Sequence, residues 1–147
     1  MSHTYTATYT HCVFSTKERQ TTIADELRPK LWAYLNGIAQ NLKLAAIAIG
    51  GTANHVHLLL RIPSVLTVSE VVQKLKANSS RWMGENSEFQ WQEGYAAFSV
   101  SPSSIEKVKN YVLRQEEHHR TRGFEEELLG LLDKAGIPHN VEEVFAA

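Results

Sequence analysis

The hydrophobic and polar positions follow two periods along the chain, and their order predicts the fold. Stretches rich in β-branched and aromatic residues predict four strands, at residues 5–14, 44–49, 55–62 and 89–100. Apolar positions at helical spacing predict one helix after the first strand and one after the third. The order β-α-β-β-α-β predicts an α+β, ferredoxin-like (RRM-like) fold, an antiparallel sheet with both helices on one face.

Local motifs set the expected ends of these elements. The first helix should start near Asp25 or Glu26, with Pro29 in its first turn, where a missing N–H does least harm. Gly50 and Gly51 predict the turn of a hairpin between the second and third strands. Residues 67–70 form a capping box that begins the second helix. A glycine at position 94 predicts that the fourth strand is bent or in two pieces.

Two further helices are predicted after the sheet. Ser103 or Ser104 can cap a third helix that runs to about Arg120, and residues 124–134 form a fourth that ends at a glycine. On the third helix, Tyr111 and Gln115 are four residues apart and therefore share a face beside its apolar stripe. A tyrosine in that position is most often a packing residue with a solvated hydroxyl.

The third strand carries the residues with the clearest potential for chemistry. Because side chains alternate along a strand, His55 and His57 share one face, and the opposite face is wholly apolar. Two neutral imidazoles placed side by side can chelate one divalent cation. A His-x-His pair alone is more often structural, so this interpretation requires further ligands.

Length and composition limit the classes of protein that remain. The 147 residues form one domain, 1–147, and 43% hydrophobic content is ordinary for a soluble protein. With Cys12 as its single cysteine, the chain has no disulfide framework and no Cys-type zinc site. Neither a signal peptide nor an apolar run of membrane-spanning length is evident in the sequence, so we expect a cytoplasmic protein with no membrane partner.

Charge is unevenly distributed although the net charge is only −1. Residues 1–122 carry a net charge of +4, and residues 123–147 carry −5, which indicates a mildly basic body and an acidic, solvated end segment. Five basic side chains of the body are candidates for contacts with DNA phosphates, although exposed lysines more often serve only solubility. They are Lys17, Arg19, Lys74, Lys76 and Arg81.

A His-x-His strand followed by a helix with Tyr-x-x-x-Gln resembles the HUH endonucleases that use a single tyrosine. Within them, the chain is similar to the small transposases of bacterial insertion sequences, the IS200-like group, which act on single-stranded DNA. The resemblance covers nearly the whole chain. It rests on residues 11–17, 31–35, 50–51, 54–60 (NHVHLLL), 91–95, 97–101 and 111–120 (YVLRQEEHHR).

The resemblance implies a role for each matching residue. His55, His57 and Gln115 would bind Mg²⁺ or Mn²⁺, and Tyr111 would attack DNA to give a 5′-phosphotyrosine. The partners implied are single-stranded DNA with hairpins at element ends and a second copy of the chain, in a homodimer whose active sites are shared between subunits. No carboxylate base is expected. Residues 116–119 are assigned only helix-end or surface roles.

Other functions remain open at this stage. An open antiparallel sheet is also the platform of RNA-binding domains, but such a platform needs exposed aromatics, and this face offers His55, His57 and Arg61. A transposase fold repurposed to bind DNA or RNA without cutting is a second alternative. A His-x-His metal hydrolase or cupin is a third, and it would need ligands on neighbouring strands that the sequence does not supply at suitable spacing.

Overall fold

The computed structural model describes residues 3–84 and 88–146. Its centre is an antiparallel sheet in the order β2-β3-β1-β4. The strands are β1 (Tyr9–Ser15), β2 (Ala45–Gly51), β3 (His55–Arg61) and β4 (Ala96–Val100). Helix α1 (Arg28–Asn41) follows β1 and α2 (Val68–Met83) follows β3. This order confirms the predicted ferredoxin-like fold.

The main core lies between the sheet and the helices α1 and α2. Val56, Leu58 and Leu60 of β3 point into it and are completely buried, together with Leu35 of α1 and Leu75 of α2. Each leucine buried in this way contributes roughly 1.5–3 kcal/mol of transfer free energy. The period-two pattern of the third strand therefore identified the core-facing side chains correctly.

The ends of these two helices follow local chemistry. Thr67 caps α2, because its Oγ1 accepts a hydrogen bond from the Glu70 amide at 3.1 Å, and the predicted capping box is present. Helix α1 begins at Arg28, slightly later than predicted, with Pro29 in its first turn. Within residues 3–84 and 88–146, no helix is long and apolar enough to cross a membrane.

The second face of the sheet is covered by the C-terminal part of the same chain. Four helices follow β4: α3 (Ile105–Leu113), α4 (Gln115–His118), α5 (Phe124–Lys134) and α6 (Val141–Val144). The continuous third helix predicted to reach Arg120 is wrong, because the backbone leaves helical geometry at Arg114 (φ −103°, ψ 26°). Helix α5 has the predicted bounds, and Gly136 beyond it adopts a positive φ of 70°.

Gly50 and Gly51 do not form the predicted turn. They are the last residues of β2, and the chain turns at residues 52–54, where the Thr52 amide donates to the His55 carbonyl at 3.1 Å. The glycines serve close approach instead. A Cβ at position 50 would lie 2.1 Å from the carbonyl oxygen of Val112, so only glycine lets α3 rest on β2.

The segment predicted as the fourth strand is in two pieces. Trp91 forms an isolated bridge with Thr16, the chain bends at Gly94 (φ 81°), and β4 proper begins at Ala96. Trp91 packs edge-on against Phe14, with ring centroids 4.8 Å apart. The aromatic residues before the bend therefore complete the main core, and only the part after the bend extends the sheet.

Candidate active site

The two histidines of β3 lie on the face that the C-terminal helices cover. His55 and His57 are both fully buried, with ring centroids 5.1 Å apart. Their Nε2 atoms point away from the sheet toward side chains of α4 and α5. The pair is therefore enclosed by the protein and does not lie on an open surface.

Helices α3 and α4 place the tyrosine and the glutamine beside this pair. Val112 packs between Ala48 and Leu59 on the sheet, which sets Tyr111 at the edge of the contact, with its ring centroid 5.7 Å from that of His57. Gln115 is 1% exposed. Its Nε2 donates to the Tyr111 carbonyl at 3.2 Å, and its Oε1 lies 3.0 Å from His55 Nε2. All four side chains that the resemblance singled out thus meet in one cluster.

A carboxylate lies at the centre of the cluster, although the sequence analysis identified no carboxylate base. Glu127 of α5 is 2% exposed. Its Oε1 lies 2.9 Å from His57 Nε2, and the Tyr111 hydroxyl donates to its Oε2. The sequence held a clue, because Glu127 shares a helix face with Phe124 and Leu128, and an acid inside an apolar stripe is costly unless it is paired.

His119 also belongs to the site, although a surface role was predicted for it. Its side chain is 11% exposed, and its Nε2 lies 3.1 Å from both Gln115 Oε1 and Glu127 Oε1. Its spacing of four residues from Gln115 was the available clue. The neighbouring Glu116 does lie at the surface, where it pairs with Arg28.

A third histidine stands behind the pair. His11 of β1 is 5% exposed, and its Nε2 lies 2.8 Å from Nδ1 of His57. Such a contact fixes the orientation and the tautomer of the inner ring. Sequence reasoning included His11 in the resemblance but assigned it no role.

Burial determines the protonation of these groups. It lowers the pKa of His11 and of His55 to about 3 and lowers that of His57, so all three rings are neutral at neutral pH. Burial alone would raise the pKa of Glu127, but hydrogen bonds from His119, His57 and Tyr111 outweigh it and hold that pKa well below its usual range. Burial, with Glu127 nearby, raises the pKa of Tyr111.

The surroundings of His55 suit a cation. Its Nδ1 lies 2.8 Å from Asn54 Oδ1 and 3.0 Å from the Thr52 hydroxyl oxygen. When the proton of the neutral ring is on Nδ1, the lone pair of Nε2 faces Gln115 Oε1 at 3.0 Å and Glu127 Oε1 at 3.7 Å. Lone pairs that converge in this way fit a metal ion.

The five basic residues proposed to contact DNA have different surroundings. Arg19 pairs with Glu125 at 2.8 Å and lies over the ring of Phe145, so its charge is used within the chain. Lys76 donates to the Gln92 carbonyl at 2.9 Å, and burial lowers its pKa to about 8. The other three are exposed: Lys17, Lys74 and Arg81. A role in DNA binding stays a prediction for all five.

Comparison with known proteins agrees with this fold and shows the family of the chain. The sequence model of the family described as "Transposase IS200 like" matches residues 4–115. The transposase of insertion sequence element IS200 from Salmonella typhimurium is 27% identical over 130 residues, which cover 82% of this chain and 84% of that one. The corresponding transposase of Salmonella typhi has the same identity and coverage.

Two solved structures share the fold. One, designated a transposase of Deinococcus radiodurans, has a TM-score of 0.62 and 24% identity, and the match covers 76% of this chain and 94% of that one. The other is a REP-associated tyrosine transposase bound to a REP hairpin, with a TM-score of 0.58 and 11% identity, covering 76% and 68%. Because the family model spans well over half of the sequence, the chain belongs to the IS200-like transposase family.

Proposed function

We propose that the protein is a metal-dependent transposase that cleaves and rejoins single-stranded DNA at insertion-sequence ends through a 5′-phosphotyrosine intermediate on Tyr111. One observation carries the proposal. In a chain of a transposase family, the Tyr111 hydroxyl, the imidazoles of His55 and His57 and the amide of Gln115 meet in one cluster.

His55, His57 and Gln115 would hold Mg²⁺ or Mn²⁺ in this function. When bound, such an ion neutralises charge on the scissile phosphate and polarises its P–O bond. The protein holds the ligands in place through the far nitrogens of the rings, since Asn54 contacts His55 and His11 contacts His57.

The Tyr111 oxygen is the nucleophile. A bond forms between this oxygen and phosphorus, and the bond between phosphorus and the 3′ oxygen of the preceding nucleotide breaks. Glu127 accepts the phenol hydrogen bond and is placed to take the phenol proton. The leaving 3′ oxygen takes a proton from solvent and becomes a hydroxyl, and Glu127 returns its proton to solvent, so the step is balanced. No water is consumed, and the phosphotyrosine bond retains the energy needed to rejoin DNA.

The test is a covalent adduct. Hairpin-bearing single-stranded DNA taken from the flanks of the gene is incubated with the protein and Mn²⁺ or Mg²⁺, and the products are separated on a denaturing gel. We expect a protein band shifted by the bound DNA fragment and a cleaved strand with a free 3′-hydroxyl. Tight hairpin binding with neither product would favour the repurposed, non-cleaving DNA- or RNA-binding protein.

Hairpin DNA is the proposed partner, and the solved relative bound to a REP hairpin supports this choice. Lys74 and Arg81 of α2 are exposed and are the clearest candidates for contacts with phosphates. We expect Lys74→Ala and Arg81→Ala each to weaken hairpin binding and to lower the slope of log affinity against log salt by about 1. Fluorescence anisotropy over a salt series measures both effects. Lys134→Ala, in the acidic end segment, is the matched control, and slopes unchanged in all three variants would place the DNA surface elsewhere.

We further propose that the working form is a homodimer whose subunits exchange α3. In the single chain, α3 rests on its own β2 and Tyr111 lies beside its own His57. The segment before α3 is a short 3-10 turn that contains Pro102. Leu113, the last residue of α3, is 55% exposed. A second subunit could cover that leucine.

Complementation distinguishes the two arrangements. A Tyr111→Phe protein is mixed with a His57→Ala protein under conditions in which subunits exchange, and cleavage is assayed. Each variant alone should be inactive. Shared sites give one intact site per heterodimer, so activity should return in part. Subunit exchange is verified by mass spectrometry. If the exchanged mixture shows no cleavage, each active site is formed within a single chain.

A further inference from the structure

Among residues 3–84 and 88–146, Glu127 is the one acidic side chain buried in the site, and neither the resemblance nor the proposed function uses it as a metal ligand. We infer that Glu127 is a ligand of the metal ion, so that the site consists of His55, His57, Gln115 and Glu127. This inference rests on the proposed function for the identity of the ion. The proposed new ligand lies on α5, outside the residues 4–115 that match the family model.

The geometry of Glu127 is that of a ligand. Its Oε1 lies 2.9 Å from His57 Nε2 and 3.7 Å from His55 Nε2, on the same side as Gln115 Oε1. Ligand atoms of His55, His119 and Glu127 all lie within 4.8 Å of one another. A cation bound to Nε2 of His55 and of His57 would therefore lie next to this carboxylate oxygen.

The charge of Glu127 leads to the same conclusion. Among the described residues, the ion-pair partners of its carboxylate are His55, His57 and His119. The Tyr111 hydroxyl donates to its second oxygen. A buried carboxylate is costly unless its charge is compensated, and a divalent cation at this position would compensate it.

The identity of the ion also favours a carboxylate. Mg²⁺ and Mn²⁺ prefer hard oxygen ligands, and an anionic carboxylate binds them more strongly than a neutral amide does. Glu127 should therefore contribute more to metal affinity than Gln115 does. Its second oxygen would at the same time hold the Tyr111 hydroxyl next to the ion.

Metal titration of the full chain without DNA tests this inference. Mn²⁺ affinity is measured by isothermal calorimetry for wild type, Glu127→Gln and Glu126→Gln. The latter is the matched control, because Glu126 is exposed on the same helix and the charge change is identical. We expect Glu127→Gln to weaken Mn²⁺ binding by at least about 10-fold, since losing even a group that supports a metal ligand lowers affinity on that scale. Glu126→Gln should leave Mn²⁺ affinity unchanged.

Equal Mn²⁺ affinity in Glu127→Gln and wild type would overturn the inference and leave the proposed function intact. Weakened Mn²⁺ affinity in Glu127→Gln, found together with a wild-type protein that forms no DNA adduct, would support the ligand role of Glu127 and contradict the proposed function. Because the charge is buried, folding of each variant is checked by metal-free thermal unfolding. If Glu127→Gln does not fold, Glu127→Asp is used, and the rise in melting temperature caused by Mn²⁺ is compared. A rise as large as that of wild type would again contradict a ligand role.

Discussion

The Tyr111→Phe variant should form no covalent adduct with hairpin DNA and should lose strand cleavage by roughly 10⁴-fold or more, the scale seen when a nucleophile is removed. Only the phenol oxygen is lost. The ring still packs against His11 and His57, whose centroids lie 6.1 and 5.7 Å away. The substitution removes one hydrogen bond to the Glu127 carboxylate, which costs about 1.5–3 kcal/mol of unfolding free energy. A denaturing gel measures the adduct, and anisotropy should show hairpin affinity close to wild type.

Tyr5→Phe is the control, because Tyr5 is 89% exposed and is not one of the residues of the candidate site. It should give adduct at the wild-type rate. Cleavage by Tyr111→Phe at a rate near that of wild type would show that another group attacks the phosphate. In that case the contact between Tyr111 and Glu127 would be structural.

Replacing His57 with alanine should reduce both Mn²⁺ affinity and cleavage. The ring is fully buried and contacts both Glu127 and His11. Its removal therefore takes away one proposed ligand and leaves Glu127 and His11 each without one hydrogen-bond partner. We expect Mn²⁺ binding to weaken about 100-fold, at the upper end of losses seen around metal sites. Calorimetry measures the affinity. Gln115→Ala should have a milder effect, because a neutral amide is the weakest of the proposed ligands.

The matched control is His139→Ala, which removes an imidazole that pairs with Asp133 outside the site. Because a buried ring is deleted, metal-free unfolding of His57→Ala is recorded in parallel. An unchanged Mn²⁺ affinity in a folded His57→Ala protein would mean that the ion binds elsewhere. The proposed role of the β3 pair would then be wrong.

Much of the fold could be predicted because local patterns and tertiary packing agree. The alternation of β3 placed Leu58 in the core and His57 on the opposite face, and the capping box at Thr67 began α2 where predicted. The spacing of Tyr111 and Gln115 placed them on one face, and the structure brings both to the histidine pair. In each case, a period or a short motif carried the information.

The rest depended on how distant segments meet. Acidic residues in a first turn stabilise a helix N-terminus. This role fits Glu125 and Glu126, which are exposed, but Glu127 is buried in the site. Periodicity also could not reveal the break at Arg114, which separates α3 from α4. Arg19 was predicted to contact DNA. Its pairing with Glu125 could not be predicted from local sequence, because the two residues are 106 positions apart along the chain. Such pairings become visible only in the folded chain.

Gly50 has a consequence for which variants of this protein can persist. Because the Val112 carbonyl would lie 2.1 Å from a Cβ at position 50, any other residue there must push α3 outward. Tyr111 immediately precedes Val112, so the proposed nucleophile would move with it. Natural selection on the distance between the phenol and the histidines would therefore act on a position that has no side chain. Random mutagenesis scored by transposition should find that Gly50 tolerates no substitution. The packing of α3 against β2 would explain this result.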